Sequence, residues 1–437
     1  MNNTCDISFK EKANIFSHEY LQCILFIIGL NDDTDYLFTK KLCSKLIITS
    51  HIMEDFLDFH GAKKNKDWVF YRAISAAIRH LSLACYSQRH TLDRFDFYNF
   101  GDQNHTAFKQ EALDMLQFLQ DAIHQAAPVA LGEAKRLEIT IPESEYDLNY
   151  FPGIATASQL EHNIDDAMPK KDQKKNLTRI ASQFLELIRD FEQFTFYERY
   201  DLETIYKLVP DVINEVTIRS YEMRVHNIQS SFDSYVVTTL QSPDASLLSQ
   251  LRSHFSIVFH ILQVLGRLLH FYERHLYDTG FKQVYKHITL SLGDLIDPDA
   301  VLDRAMNYCL YYAGRFLSSG KAVATKVLND NMESGTIEVG IPKDRGFHSR
   351  PSLLVAKIVQ YYGGEVKLHV GEDQFDASSV LDIQWAGGKI KKEKIETVVF
   401  EGDSRALNDL KILSGVNYGE DHMGKGIPLP SELSYLI

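Results

Sequence analysis

The sequence has few of the features that mark secreted, membrane-spanning or disulfide-rich proteins. Only five of its 437 residues are cysteine, and no two of them form a CxxC pair. Scattered thiols of this kind predict a reduced, cytoplasmic protein. The most apolar stretch, Tyr20–Leu30, is much shorter than the roughly 20 residues of a transmembrane helix. The first residues are not a basic segment followed by an apolar block, so we expect no export signal and no membrane insertion.

The charge of the chain also excludes a class of partner. The net charge is −13, and nucleic-acid binding depends on basic residues that neutralise phosphates, so we expect no nucleic acid. The composition, with 45% hydrophobic and 24% charged residues, is typical of a globular protein. Its length predicts two or three domains. The oligomeric state stays open at this stage.

Residues 1–330 are predicted to form an all-helical domain of unknown role. Apolar residues recur there at helical spacing, and most glycines and prolines fall between the runs. A basic segment suggests a break into two halves near residues 165–176. The predicted helical runs are Ile15–Gly29, Leu37–Phe59, Val69–Tyr86, Phe108–Ala127, Leu177–Tyr200, Leu247–Tyr277 and Ala300–Leu328.

The pattern changes near residue 335. Short alternating segments, typical of strands, interleave with helical ones, which predicts a compact α+β open-faced sandwich over residues 335–415. A C-terminal tail, 416–437, follows it, and its glycine and proline content favours a flexible segment or one that becomes ordered on contact. The predicted strands are 336–342, 365–370 and 395–402, and the predicted helices are Ser349–Tyr362, Ser379–Trp385 and Ser404–Leu413.

One short motif carries chemistry. Gly346-Phe347-His348-Ser349-Arg350-Pro351 lies between the first strand and the first helix of this region. Proline fits a first helical turn, so His348 is expected at the helix start, beside backbone N–H groups that have no helical acceptor. Such a position suits a phosphoryl group, and Arg350 adds a guanidinium that can hold its oxygens. We therefore interpret His348 as a phosphoryl acceptor, with one ring nitrogen attacking and the other holding the ring.

The motif GFHSRP resembles the active site of HPr, the histidine-containing phosphocarrier of the bacterial phosphotransferase system. The resemblance covers less than a fifth of the chain, from about Thr336 to Gly415. It implies that His348 takes phosphate from an enzyme I-like donor and passes it to an acceptor protein, with Arg350 beside it and no cofactor. It further implies a docking face and a serine that an HPr kinase modifies in some bacteria; the matching positions are Lys357, Val380 and Leu381 for docking and Ser379 for regulation.

The residues leave two points open. Ser379 is also a good helix N-cap, which is the commoner reason for a serine there. Val380 and Leu381 could both be core residues, although neighbours on a helix point in different directions, so we expect at least one to be exposed. Asp382 stands where the family usually has glycine or a basic residue, and the predicted loop GGKIKKEKIE, 387–396, is long and basic. These departures favour an alternative, in which His348 phosphorylation controls partner binding by the helical domain.

Two further patterns resemble binding motifs but lack part of what those motifs require. His270 and His275 could suggest a metal site, but residues five apart do not share a face of an α-helix, so no metal is expected. Gly419–Lys425 has the spacing of a nucleotide-binding P-loop, yet no strand precedes it and Gly426 replaces the magnesium-binding hydroxyl. No other catalytic motif was found, so enzymatic activity beyond phosphotransfer stays uncertain.

Overall fold

The computed structural model describes residues 7–31, 38–101, 105–144, 146–154, 170–194, 198–236, 245–277, 283–343, 345–421 and 423–436. Within them the protein is mostly helical, with a four-stranded antiparallel sheet near the C-terminus. The predicted combination of a helical part with a smaller α+β part is therefore confirmed at this level. Residues 165–169, the first part of the predicted break, lie outside the described residues.

The helices before the sheet follow the apolar periodicity, with ends displaced by several residues. Three of them, α6, α7 and α9, were not predicted. The helices are α1 (Phe9–Gly29), α2 (Lys40–Phe59), α3 (Val69–Phe95), α4 (Thr106–Arg136), α5 (Lys170–Phe191), α6 (Leu202–Leu208), α7 (Glu215–Tyr235), α8 (Ala245–Phe271), α9 (Gln283–Leu295), α10 (Pro298–Asp303) and α11 (Tyr311–Asn331).

Three of these helices adjoin two π-helical segments. The last turn of α8 continues into Tyr272–Leu276, where the Tyr277 amide donates to the Tyr272 carbonyl across five residues, at 2.7 Å. A second π segment, Arg304–Leu310, joins α10 to α11. The wider π turn returns a side chain to the same face after about five residues rather than about four. The expectation that His270 and His275 lie on different faces is therefore wrong, because it assumed a regular α-helix.

The chain divides into two compact units whose segments alternate along the sequence. The first unit comprises residues 1–164, 191–226 and 253–317, and the second comprises 165–190, 227–252 and 318–437. In the second unit, Arg189 of α5 donates to the carbonyls of Gln360 and Tyr361, both at 3.3 Å. The predicted boundaries, 1–330, 335–415 and 416–437, remain predictions about which parts fold independently.

The α+β region has one more strand than predicted and a longer second helix. Its elements are β1 (Ser334–Gly340), α12 (Ser349–Tyr362), β2 (Val366–Val370), β3 (Asp373–Asp376), α13 (Val380–Glu393), β4 (Thr397–Asp403) and α14 (Ser404–Gly415). The segment 387–393, expected to be part of a basic loop, continues α13. Lys391 and Lys392 lie in the last turn of the helix, where cations are favoured by the helix dipole.

The four strands lie in the order β1-β4-β2-β3, and every neighbouring pair is antiparallel. Leu368 in the middle of β2 lies opposite Phe400 of β4 and Phe375 of β3. Side chains alternate across the sheet, so Leu368 and Phe400 are buried with apolar residues of α12, α13 and α14, whereas Lys367 and Glu401 lie on the open face. Gly402 has φ +146°, and a Cβ there would lie 2.1 Å from the Glu365 carbonyl oxygen, so only glycine fits this close approach.

The C-terminal tail packs on the α+β core. Tyr418, Leu433 and Leu436 are buried among the core residues of this region. The hydroxyl of Tyr435 donates to the Asp409 carboxylate at 2.6 Å, and the hydroxyl of Tyr362 donates to the same oxygen at 2.8 Å. Of the two expectations for 416–437, the structure therefore shows a segment that is ordered by contact.

One helix, Ala245–Leu276, is long and apolar enough to cross a membrane by length and composition alone. The share of its most apolar window that is buried inside the protein is 72%, which is what the core helix of a globular protein also shows. The most apolar stretch of the sequence, Tyr20–Leu30, forms the last part of α1 and its C-cap residue.

The buried face of the sheet predicts a clear stability difference between two leucines. Leu368→Ala is expected to lower the free energy of unfolding by about 2–5 kcal/mol, because it leaves a cavity under the sheet. Leu381→Ala, whose side chain is exposed, should change it by less than about 0.5 kcal/mol. Urea unfolding followed by Trp385 fluorescence, in a Trp68→Phe background, measures both. Equal effects of the two substitutions would contradict the assigned orientation of β2.

Candidate functional site

His348 is the N-cap residue of α12, as the motif predicted. It has extended backbone angles, φ −85° and ψ −171°, and its side chain makes no capping bond to the helix. The loop Ile341–Phe347 leads to it from β1, and Pro351 is the third residue of the helix. The amides of Ser349 and Arg350 lie in the first turn, where no helical carbonyl is available to accept from them.

Packing and hydrogen bonds hold the backbone around His348 in place. The Phe347 side chain is buried, and its carbonyl accepts from the Ser352 hydroxyl at 3.2 Å. The His348 amide donates to the carbonyl of Gly346 at 2.8 Å, and Gly346 itself has φ +61°. The Phe347 ring packs edge-on against Tyr418 of the tail, with 5.2 Å between ring centres. These contacts fix the position of the His348 backbone, from which the imidazole extends.

The imidazole meets a carboxylate that the sequence did not reveal. Nε2 of His348 lies 2.9 Å from Oε2 of Glu420, a tail residue 72 positions away. An ionised carboxylate can only accept, so Nε2 carries the ring proton and Nδ1 of the neutral ring keeps its lone pair. No hydrogen bond from a described residue reaches Nδ1. The His348 side chain retains 28% of its surface exposed.

Glu420 is an unusual carboxylate because its side chain is only 1% exposed. Its Oε1 atom has no hydrogen-bond partner among the described residues and lies 3.8 Å from Nη1 of Arg350. A buried carboxylate is costly without compensation, so His348 and Arg350 together stabilise it. The three groups form a connected charge cluster at the helix start.

A hairpin of the tail, Gly419–Ile427, holds Glu420 in place. The Ile427 amide donates to the Gly419 carbonyl at 2.9 Å, and the Asp421 amide donates to the Lys425 carbonyl at 2.9 Å. The Tyr418 hydroxyl donates to the carbonyl of Gly340 at 2.8 Å, which ties the hairpin to the end of β1. A Cβ added at Gly426 would lie 3.0 Å from the Arg350 guanidinium, so the hairpin lies against the site.

The P-loop spacing within this segment has a different structural meaning. Glu420 pairs with Gly426 in an antiparallel bridge, so the described residues of 419–425 belong to a hairpin and do not join a strand to a helix. His422 lies outside the described residues.

The site combines a nucleophile, an orienting carboxylate and donors for an anion. Nδ1 is available for attack, while Glu420 fixes the ring and can stabilise the positive charge that the ring gains when Nδ1 forms a bond. Arg350 and the first-turn amides can donate hydrogen bonds to the oxygens of a phosphoryl group. Exposed Arg345 and Lys425 add positive charge nearby. The set suits transfer of a small anionic group to and from His348.

The other predicted site residues lie on α12, α13 and the turn between β3 and α13. The Ser379 hydroxyl accepts from the Asp382 amide at 3.3 Å, so it caps α13. Val380 is partly buried against the core, whereas Leu381 is 63% exposed. The Lys357 ammonium donates to the Leu436 carbonyl in the tail at 2.9 Å.

An exposed apolar pair on α13 differs from the pair that the resemblance implied. Leu381 and Trp385 are four residues apart on the helix, so they are neighbours on one face, and Trp385 is 67% exposed. The helix approaches the site at Gly387, where a Cβ would lie 2.9 Å from the Phe347 carbonyl oxygen. Ser379 is eight residues from that contact, about 12 Å along the helix.

Comparison of the chain with protein-family models, with curated proteins and with solved structures finds no match. The function proposed for the site is therefore based on its geometry and on the motif.

The Glu420 contact predicts which nitrogen of His348 is protonated in the neutral ring. Nitrogen-15 NMR spectra should show a protonated Nε2 and an unprotonated Nδ1, because the carboxylate accepts from Nε2. Glu420→Leu should give a mixture of both tautomers. Glu401→Leu is the matched control, since Glu401 lies 2.8 Å from a different histidine, His369. A His348 tautomer that is unaltered in Glu420→Leu would show that the contact does not orient the ring.

Proposed function

We propose that this chain is a cytoplasmic phosphocarrier of the HPr kind. In this proposal Nδ1 of His348 accepts a phosphoryl group from an enzyme I-like donor and delivers it to an acceptor protein of a phosphotransferase system. The single observation that supports it most is the contact of the opposite ring nitrogen with the buried Glu420. That contact leaves Nδ1 as the nucleophile at a helix start.

The proposed step moves a phosphoryl group from an atom of the donor to Nδ1 of His348. The Nδ1 lone pair attacks phosphorus, a P–N bond forms, and the bond between phosphorus and the donor breaks. The ring becomes cationic in the process, while the proton on Nε2 stays shared with Glu420. Onward transfer reverses these changes, so the carrier needs no base of its own and no cofactor.

Arg350 has the position for a phosphate-holding residue. Its side chain is about half exposed, and Nη1 lies 3.8 Å from Glu420 Oε1, so the guanidinium is near the ring and can reach the oxygens of a phosphoryl group on His348. The planar guanidinium can hold two phosphoryl oxygens at once. The partner proteins would dock on the exposed Leu381 and Trp385, and Lys357 would contribute only if it leaves the Leu436 carbonyl. Modification of Ser379 by an HPr kinase stays part of the proposal, although Asp382 next to it opposes a second negative group.

The experiment that tests this function is labelling with phosphoenolpyruvate and enzyme I. The full-length protein should gain one acid-labile phosphate, and His348→Ala should abolish it, because the nucleophile is lost. His369→Ala is the control, since that histidine lies on the open face of the sheet beside a carboxylate of its own. In the same assay Glu420→Gln should slow labelling by roughly tenfold, about 1.4 kcal/mol of barrier, because the cationic ring loses its carboxylate. Phosphate on His348→Ala at the wild-type level would refute the assignment.

A second candidate function is regulatory, and the tail hairpin favours it. A phosphoryl group on Nδ1 adds roughly 1.5 to 2 negative charges beside Glu420 and competes for Arg350. Glu420 would then be a buried carboxylate with one partner fewer, which is unfavourable. In this alternative, phosphorylation releases the hairpin and thereby changes which partners the helical part binds.

Tryptic cleavage tests this second function. Lys425 lies exposed in the hairpin, so its peptide bond should be cut several-fold faster in the phosphorylated protein. Lys394, exposed in the turn between α13 and β4, is the internal control and should be cut at an unchanged rate. Equal cleavage at Lys425 before and after labelling would exclude a phosphate-driven release.

A further inference from the structure

Three histidines of the first unit converge in its interior. His80 comes from α3, His270 from the last turn of α8, and His275 from the π segment that follows it. One ring nitrogen of each lies within 4.8 Å of those of the other two. His80 and His275 are 4% and 9% exposed, whereas the His270 side chain is 21% exposed, so the cluster opens to solvent at its His270 edge.

The π segment is what brings two of the three together. In a regular α-helix His270 and His275 would point to different sides, but the wider turn places both rings on the side facing His80. The His80 ring stacks on His270 with 3.8 Å between centres, and His275 lies 5.8 Å from His80. π segments of one turn are often found at functional sites.

Burial disfavours the charged form of all three rings. Burial lowers the pKa of His80 well below its ordinary value, and the neighbouring His270 and His275 lower it further. Burial lowers the pKa of His275 to about 3 and also lowers that of His270. A neutral imidazole is the form that binds a metal ion, since its ligating nitrogen must carry a lone pair.

The protein leaves one of these nitrogens without compensation. Nδ1 of His80 is buried and has no hydrogen-bond partner among the described residues. A buried polar atom left unpaired costs roughly 1–3 kcal/mol. Arg79 can only donate to Nε2 of His80, so Nδ1 carries the proton of the neutral ring and is a buried donor without an acceptor. This is unfavourable in a purely structural cluster, and a metal ion bound to Nδ1, with the ring proton moved to Nε2, would remove that cost.

Glu215 supplies an independent indication of the ligand. Its Oε2 lies 2.8 Å from Nδ1 of His270, and its side chain is only 9% exposed. A carboxylate that accepts from one nitrogen of a histidine leaves the other nitrogen as a lone-pair donor and fixes the ring. This arrangement behind a ligating histidine is a regular feature of metal sites.

The charges around the cluster allow a cation. Arg79 approaches Nε2 of His80 at 3.1 Å, but its own Nε lies 2.8 Å from Glu54, which also pairs with Arg72. Arg219 and Arg274 pair with Glu215, and Arg267 lies near both Glu215 and Glu222. Each guanidinium thus has a carboxylate nearby. An anion would need several hydrogen-bond donors, whereas each neutral ring has one nitrogen with a lone pair that can bind a cation.

We propose that His80, His270 and His275 form a binding site for a divalent transition-metal ion of the zinc class. Three protein nitrogens with a fourth position open to water are the ligand set of open zinc sites. The rings would rotate inward on binding, because zinc–nitrogen bonds of about 2.0–2.1 Å require nitrogens closer than the present separation. Arg79 would withdraw from His80 toward Glu54. The ion would link α3 to the π segment.

The test uses the full-length protein after treatment with a chelator. Titration with Co²⁺ should give one bound equivalent with the intense visible absorption of a four-coordinate site, and Zn²⁺ should displace it. His270→Gln and His275→Gln should each weaken Co²⁺ binding at least tenfold. Glu215→Gln should weaken it about 10- to 100-fold while the spectrum keeps its shape, because the ligands stay and only their support is lost.

Two controls separate this site from others. His254→Gln removes another buried histidine of α8 that lies outside the cluster and bonds the Phe316 carbonyl at 3.0 Å. His348→Asn removes the proposed phosphocarrier histidine. Both should bind Co²⁺ as the wild type does. Loading with Zn²⁺ should also raise the unfolding temperature of the wild type and of both controls, but not that of His275→Gln, which keeps the comparison valid if a variant is less stable. No bound equivalent in the wild type, or equal binding by His275→Gln, would overturn the site.

Discussion

The contact between His348 and Glu420 is the interaction on which the candidate site depends. It joins the N-cap residue of α12 to a hairpin of the tail across 72 positions of sequence and orients the ring so that Nδ1 is left for chemistry. It also explains why a carboxylate can lie almost fully buried at the surface of a small α+β region. Remove the histidine or the arginine beside it, and the same carboxylate becomes a buried charge with too few partners, which is strongly unfavourable.

The tail is therefore part of the proposed site as well as part of the core. Tyr418 packs on Phe347 and bonds Gly340, and Tyr435 shares Asp409 with Tyr362, so both ends of α12 are tied to residues beyond 415. A charged group bound to His348 would therefore lie beside the hairpin. This gives the regulatory alternative a physical basis that Asp382 alone did not provide. The carrier and regulatory proposals differ in what the hairpin does after transfer, and both begin with the same chemistry.

Local signals in the sequence were enough for most of the α+β region. Ser349–Tyr362 was predicted to the residue, because a helix start with proline in its first turn and a glycine pair at its end bound it on both sides. The prediction missed β3, which is only four residues long. The predicted end of α13 is also too early, because the pair Gly387 and Gly388 is typical of a loop. In the structure α13 continues through both, and Gly387 is needed where the helix passes close to the Phe347 carbonyl oxygen. The π segment at Tyr272–Leu276 has no sequence signature, so the face shared by His270 and His275 was missed.

The sequence by itself determined the helical texture of residues 1–330, the change to interleaved strands near 335, and the place of His348 and Arg350 at a helix start. Each of these follows from periodicity or from a residue's local preference, which act over a few positions. Only the tertiary structure decided that Glu420 faces His348, that Trp385 rather than Val380 is exposed beside Leu381, and that three distant histidines meet. Those results depend on which surfaces the packed core brings together, and pairing over 70 or 190 residues leaves no mark at either position alone.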